Sequence, residues 1–285
     1  MNACLECLPC LAKNAVDVGK RITDDLSVRR CILSYAMRML SDCDCTNSPP
    51  FYAGDILRNA QALSGMVQCD PYKDEKIRST RLAEELLVKI LEAGYYHPED
   101  FASRVRLAVA GNILDFGIYA DMDLKFAMDI VAQAFTKKID EAAIDRIQEL
   151  MEKSKRILYL LDNSGEAVFD REFMKPYREK ITIGVRGAPV FNDVTEADLL
   201  ANGLENFASA VVINASDIPG TILERAGKEL QQVFWESDLV IAKGQGNFES
   251  LDEVRHPIAF LFMAKCPVVA RLLNCELNSL QVRLH

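Results

Sequence analysis

The residues best suited to chemistry in this sequence sit just beyond short apolar runs in its second half. Asp162-Asn163-Ser164-Gly165-Glu166 follows one run, and Arg186-Gly187-Ala188-Pro189-Val190 with Asn192-Asp193 follows the next. Ser216-Asp217 and Pro219-Gly220-Thr221 follow a third, Lys243-Gly244-Gln245-Gly246-Asn247-Phe248-Glu249 a fourth, and Lys265-Cys266 a fifth. Asp162, Asn163 and Asp193 offer hard oxygen donors, which suit a divalent cation such as Mg²⁺ or Mn²⁺ with positions left open for water and phosphate. Lys243, read on a glycine-flanked loop, would neutralise phosphate oxygens. For either aspartate alone, capping of the next helix would be the simpler role. Polar groups at successive run ends favour a shared site. Gly244-Gln245-Gly246 lacks the third glycine of a dinucleotide fingerprint, and its lysine precedes the glycines, unlike a phosphate-binding loop, so no nucleotide cofactor is indicated.

These groups need a scaffold that gathers run ends. Ile157 to Leu161, Ile181 to Val185, Ala210 to Ile213, Leu239 to Ala242 and Ile258 to Phe262 are short, partly β-branched runs separated by helical stretches. Continuous apolar strands alternating with helices predict a parallel sheet covered on both faces, whose ligands gather beyond the carboxyl ends of its strands. Before Lys155 the spacing is helical almost throughout, as in Leu82, Leu86, Leu87, Ile90 and Leu91, with breaks at Thr46 to Pro50, Gly65 to Pro71 and Gly94 to Pro98. The expected fold class is α/β: an all-helical N-terminal domain over 1–150 and a doubly wound, Rossmann-like α/β/α catalytic domain over 151–285.

Composition narrows the function classes. The 285 residues are 49% hydrophobic and 26% charged, as expected of a packed globular protein. A net charge of -9 with no concentrated Lys/Arg surface argues against nucleic acid as a partner. No apolar run reaches the roughly 18 residues of a membrane helix, and the N-terminus lacks a signal-peptide pattern, so a cytoplasmic protein without a membrane partner is expected. The expected partner is a small-molecule phosphate ester. Oligomeric state is not readable from these features.

Taken together, Asp-Asn-Ser-Gly-Glu at 162–166, Arg-Gly-Ala-Pro-Val-Phe-Asn-Asp at 186–193, Gly-Asn-Phe-Glu at 246–249 and Lys-Cys at 265–266 resemble the damage-control phosphatase family. The resemblance extends to the opening Cys-x-x-C and to Gly111-Asn112-Ile113-Leu114-Asp115, and is similar to the subfamily linked to nucleotide or nucleotide-precursor phosphates. It implies a phosphatase of damaged or surplus metabolites served by Mn²⁺, Co²⁺ or Ni²⁺, with Mg²⁺ also admissible. It further implies Asp162, Asn163 and Asp193 as metal ligands and Lys243 as a phosphate contact. Asn112, Asp115, Asn247, Glu249 and Lys265 become substrate-pocket residues. In such a mechanism Lys243 and Arg186 would stabilise charge on the phosphoryl group in flight, and Asp162 would act as nucleophile or metal ligand.

Three other functions compete, one of them a pure sugar-phosphate or nucleotide binding module, which would show affinity without turnover. Carboxylate methyl transfer would need a glycine-rich turn for a nucleoside cofactor after the first strand, and none is present. A cysteine-centred metal or redox protein would use Cys4, Cys7 and Cys10, joined by Cys31, Cys43 or Cys45. Three-residue spacing is equally that of cysteines packed in a helical core. Cys266 beside Lys265 is open to the same two readings.

Overall fold

The computed structural model describes residues 1–67, 69–112 and 124–285. Seven helices precede the first strand among the described residues: α1 (Cys7–Ile22), α2 (Leu26–Ser41), α3 (Pro49–Ser64), α4 (Lys73–Glu92), α5 (Phe101–Ala110), α6 (Leu124–Thr136) and α7 (Glu141–Lys153). Their ends carry local signals. Asp100 accepts from the Ala102 and Ser103 amides to start α5, Asp140 accepts from the Ala143 amide to start α7, and α3 opens on proline and closes on Gly65 at φ 72°.

Strands and helices then alternate: β1 (Ile157–Leu160), α8 (Ala167–Met174), β2 (Ile181–Arg186), α9 (Glu196–Ala201), β3 (Ala210–Asn214), α10 (Lys228–Glu236), β4 (Leu239–Lys243), α11 (Gly244–Leu251), β5 (Ile258–Met263), α12 (Pro267–Leu272) and β6 (Leu280–Leu284). The sheet order is β3-β2-β1-β4-β5-β6. The first five strands are parallel, and β6 pairs antiparallel with β5, Leu261 opposite Val282. The α/β doubly wound sheet is therefore present, with an antiparallel edge strand that the apolar-run reading did not include.

Period-two alternation divides the strands between two cores. Ile157, Tyr159, Ile181, Ile183, Leu239, Ile241, Ala259 and Leu261 join the larger cluster, which includes Leu86 and Ile90 of α4, Val105 and Val109 of α5, Ile144 and Ile147 of α7, and Phe169 and Phe173 of α8. Leu158, Leu160, Val240, Ala242, Phe260 and Phe262 face the other way, onto Leu230 and Phe234 of α10, Leu251 of α11 and Val269 of α12. Helices from the first half thus form one of the two layers over the sheet.

The first three helices pack around Leu11, Ala15, Ala36, Leu40 and Ile56, and reach the strand ends from outside. Arg58 of α3 makes a two-toothed contact with Asp217 at 2.7 and 3.1 Å, and Lys76 of α4 bridges Asp70 and Asp198 at 2.8 Å each. Among the described residues, no helix is long and apolar enough to cross a membrane.

Candidate active site

The strand order reverses beside β1, whose two neighbours are β2 and β4, so the loops leaving β1 and β4 part in opposite directions and open a crevice. Asp162 lies at the end of β1. The Val194 amide donates to its carbonyl at 2.8 Å, and the Ser164 amide donates to Asn192 at 2.9 Å. These bonds create a one-residue antiparallel bridge between Asn163 and Asp193. Asp162, Asn163 and Asp193 are brought together by backbone pairing, and neither aspartate caps a helix: Glu166 precedes α8, and Thr195 caps α9 in a reciprocal pair with Asp198.

The Asp162 carboxylate lies directly over Gly244, the first residue of α11. A Cβ at that position would fall 1.8 Å from Asp162 Oδ2, and Gly244 has φ +79°, so close approach and backbone conformation both demand glycine. The carboxyl is held well above the usual range by burial first, then by Glu166 and Asp193, with Arg186 and Lys265 opposing. Asp193 is also raised by burial, against the Arg186 guanidinium, whose Nε donates to Asp193 Oδ2 at 2.7 Å.

Beneath this trio is a buried polar layer. Glu166 is fully buried, and its Oε1 accepts from Asn112 Nδ2 at 2.7 Å and Asn163 Nδ2 at 2.5 Å. Asn112 Oδ1 in turn accepts from the Met263 amide at 3.0 Å, which fixes its orientation. Lys243 donates to Asp170 Oδ1 at 2.6 Å, to the Ala108 carbonyl at 2.8 Å and to Glu166 Oε2 at 3.4 Å. Burial works against its charge, but Asp170 and Glu166 hold its pKa above the ordinary lysine value.

This geometry corrects two expected roles. Lys243 is completely buried, and its three ammonium protons have protein acceptors, so none is left for a phosphate oxygen. Residues 244–249 form the start of a helix rather than a phosphate-wrapping loop. Arg186 is also buried: besides Asp193, it donates to the Gly220 carbonyl at 2.6 Å and Thr221 Oγ1 at 3.2 Å, so it braces Asp193 instead of facing a phosphoryl group. Asn247 lies behind the site, donating to the Lys243 carbonyl at 2.7 Å and accepting from Thr221 at 2.8 Å. Asn112 does reach the trio, with Nδ2 3.4 Å from Asp162 Oδ2. Asp115 lies outside the described residues.

Glu249 and Lys265 line a cavity of about 490 Å³ beside the crevice, enclosed by α1, α3 and the loops after β3 and β5. The Gln245 side chain ties its floor together: Oε1 accepts from the Lys265 amide and Nε2 donates to Glu249 Oε1, both at 2.7 Å. A larger open groove, about 930 Å³ between 137–141 and 274–283, shares no residue with the crevice. Residue reading gave no role to Glu166, Asp170 or Gln245. The available signal was spacing, since Glu166 and Asp170 are four apart and share a helix face.

A family model for the damage-control phosphatase ARMT1-like domain matches residues 3–280. The chain belongs to this family. A damage-control phosphatase of Pyrococcus horikoshii, PH1575, is 32% identical over 292 residues, covering 98% of this chain and 97% of the relative. One of Archaeoglobus fulgidus is 28% identical over 288 residues, covering 98% and 97%, and the uncharacterized MJ0202 of Methanocaldococcus jannaschii is 32% identical over 287, covering 96% and 92%. The crystal structure of the Pyrococcus protein, described as a DUF89 family member, superposes with a TM-score of 0.89 at 29% identity over 100% of this chain and 99% of that one. The names of these damage-control phosphatases support a phosphatase role.

The cysteines of the competing reading lie partly in two close pairs. Cys4 and Cys7 lie 3.7 Å apart, as do Cys43 and Cys45, while Cys10 and Cys31 are exposed. Among the described residues, no group of three or more His, Cys, Asp or Glu is placed to hold a metal ion. Burial pushes the Cys7 thiol up to about 12. Cys266 is raised by burial as well.

Proposed function

We propose that the chain is a metal-dependent phosphomonoester hydrolase acting in the cytoplasm on damaged or surplus metabolites, among them nucleotides and nucleotide or sugar-phosphate intermediates. Asp162, Asn163 and Asp193 would hold Mn²⁺, Co²⁺ or Ni²⁺, with Mg²⁺ also admissible. One observation carries the reading: two carboxylates and an amide meet at the sheet's switch point with too little positive charge around them. Asp162, Glu166, Asp170 and Asp193 are four carboxylates, and the cations whose charge reaches them are Arg186, Lys243, Lys265 and Lys76; Lys243 is held by Asp170 and Glu166 below the site, and Lys76 answers two further carboxylates, Asp70 and Asp198, so six carboxylates face four cations. The Asp162 carboxyl is raised by burial first and by the Glu166 and Asp193 charges next, and a divalent cation would offset both. All nine cysteines are free, which suits a reducing compartment.

A divalent cation there would supply Lewis-acid polarisation of a phosphoryl oxygen and orientation of the attacking group. The protein's own part is positioning and charge. Glu166 takes the Asn163 NH₂ group, which turns the amide oxygen away from the buried layer. Arg186 fixes one Asp193 oxygen and leaves the other for the site. Lys265, whose charge is felt at Asp162, would balance the substrate phosphate, aided by the amides of the first turn of α11.

The test is hydrolysis of a generic aryl phosphate by metal-stripped protein, with each cation added back. Restored turnover that falls at least about 100-fold in both Asp162→Ala and Asp193→Ala is expected. Turnover that ignores the metal, or survives in either variant at the wild-type rate, overturns the reading.

A further inference from the structure

Between β2 and α9, residues 190–193 make a tight turn in which the Asp193 amide donates to the Val190 carbonyl at 3.1 Å. The first central residue of the turn is Phe191, at φ +47°. That is the left-handed region, where a Cβ crowds the backbone and where such turns favour glycine, asparagine or aspartate. Holding an aromatic residue there costs backbone energy that other contacts must offset. The hydrogen bonds around the turn do not account for the residue type. The Ser164 amide to the Asn192 carbonyl, the Val194 amide to the Asp162 carbonyl and Arg186 to Asp193 all use atoms that a glycine at 191 would leave in place.

The offsetting contacts come from the helical first half. Val190 is buried in a cluster with Val18 and Ile22 of α1, Ile32 of α2, Leu57 of α3 and Tyr72 just before α4, and Phe191 packs against the same cluster. The Tyr72 ring meets the Phe191 ring edge to face, with centroids 5.8 Å apart and planes at 75°. Tyr72 is itself fixed: it is buried, the Arg21 guanidinium lies 5.0 Å from its ring centre, and Arg21 pairs with Glu75. One turn along α4, Lys76 donates its amide to the Tyr72 carbonyl and pairs through its ammonium with Asp198. Asp198 shares the start of α9 with Thr195, so the beginning of α4 grips the chain on both sides of Asp193.

We propose that Phe191 is a positioning residue for the metal site: its ring, seated on Tyr72, holds the left-handed turn that sets where Asp193 presents its oxygens. The inference rests on Asp193 as a metal ligand in the phosphatase reading and adds a pair of side chains that act on the ion without touching it. A turn fixed by its backbone alone would work as well or better with glycine. A ring that merely filled space would change stability and leave metal affinity alone.

The experiment titrates Mn²⁺ by calorimetry into the metal-stripped full chain without substrate, with urea unfolding of every variant to establish that it is folded. Phe191→Gly removes the ring and the left-handed strain together, and should weaken Mn²⁺ about 10-fold or more, as loss of support behind a ligand does. Tyr72→Leu approaches the contact from its other side, leaves the loop sequence intact and should act in the same direction. Tyr72→Phe keeps the ring and should stay within about twofold of wild type. Gly94→Ala, at the far end of α4, loses stability for a backbone reason alone, since Gly94 has φ +73° and nothing within 4 Å of an added Cβ; it too should bind Mn²⁺ within about twofold. Wild-type affinity in a folded Phe191→Gly overturns the inference and leaves the metal site standing, and wild-type affinity in Tyr72→Leu does the same if Phe191→Gly does not fold. A matching loss in Gly94→Ala would make affinity a follower of overall stability and also overturns it. Failure of wild type to bind Mn²⁺, Co²⁺, Ni²⁺ or Mg²⁺ overturns both this inference and the metal site beneath it.

Discussion

Replacing Gly244 by alanine separates the geometry of the site from the stability of its backbone. An added Cβ would fall 1.8 Å from Asp162 Oδ2, far inside contact distance, so the carboxylate must retreat by at least about 1 Å. Displacement on that scale at a reacting centre costs on the order of 100-fold in rate. Alanine at φ +79° also strains the backbone by about 1–2 kcal/mol, an effect unrelated to the site. Gly65 isolates that second cost, because it has φ +72° with nothing within 4 Å of an added Cβ. Both Gly244→Ala and Gly65→Ala should lose about 1–2 kcal/mol in urea unfolding. Only Gly244→Ala should lose about 100-fold in kcat/KM on an aryl phosphate and bind Mn²⁺ more weakly by calorimetry. If Gly244→Ala keeps activity within about threefold of Gly65→Ala, the Asp162 carboxylate does not work from the position described, and the reasoning fails.

Two further perturbations probe the layers around the site. Glu166→Gln puts an NH₂ group in place of one of the acceptors that hold Asn112, Asn163 and Lys243, and should weaken divalent metal binding about 10- to 100-fold in a titration without substrate; unchanged affinity would remove Glu166 from the positioning role. Glu249 has its carboxyl raised by burial from 4.5 to about 7, so the folded state holds that proton more tightly than the unfolded chain. Its contribution, on the order of 3 kcal/mol, is complete below about pH 4.5 and is lost as pH rises through about 7. Glu249→Gln should therefore flatten the fall in urea-derived stability between about pH 5 and 8, and profiles that stay parallel to wild type would refute the assignment.

Most of the fold was legible because β1, β2, β4 and β5 are almost wholly buried and read as continuous apolar runs, and the partly exposed edge strand β3 keeps the apolar run Ala210 to Ile213. β6 was not, because Leu280-Gln281-Val282-Arg283-Leu284 mixes polar and apolar residues as an edge strand does and follows the loop after α12 rather than a long helix. The Asp162, Asn163 and Asp193 grouping was readable from position after strand ends. What the sequence could not supply was the pairing of Asp162–Ser164 with Asn192–Val194, a contact between two loops that no local pattern encodes.

Lys243 shows where a finer reading was available. A lysine beside glycines at the end of an apolar strand suggests an anion site, yet strand parity says otherwise. Leu239 and Ile241 point to the face covered by α5 and α8, and Lys243 continues that phase, so its side chain is carried under the sheet end toward Ala108 and Asp170. Asp162 continues the opposite phase, that of Leu158 and Leu160, and emerges on the side where α11 begins. One step of parity therefore separates Asp162, which opens onto the crevice, from Lys243, which lies beneath it. The buried lysine matters because Glu166 accepts from two side-chain amides at once in a position closed to water, where its partners must all come from the protein. Lys243 supplies the countercharge from below, so the oxygens of Asp162 and Asp193 above it are left for the divalent cation we propose.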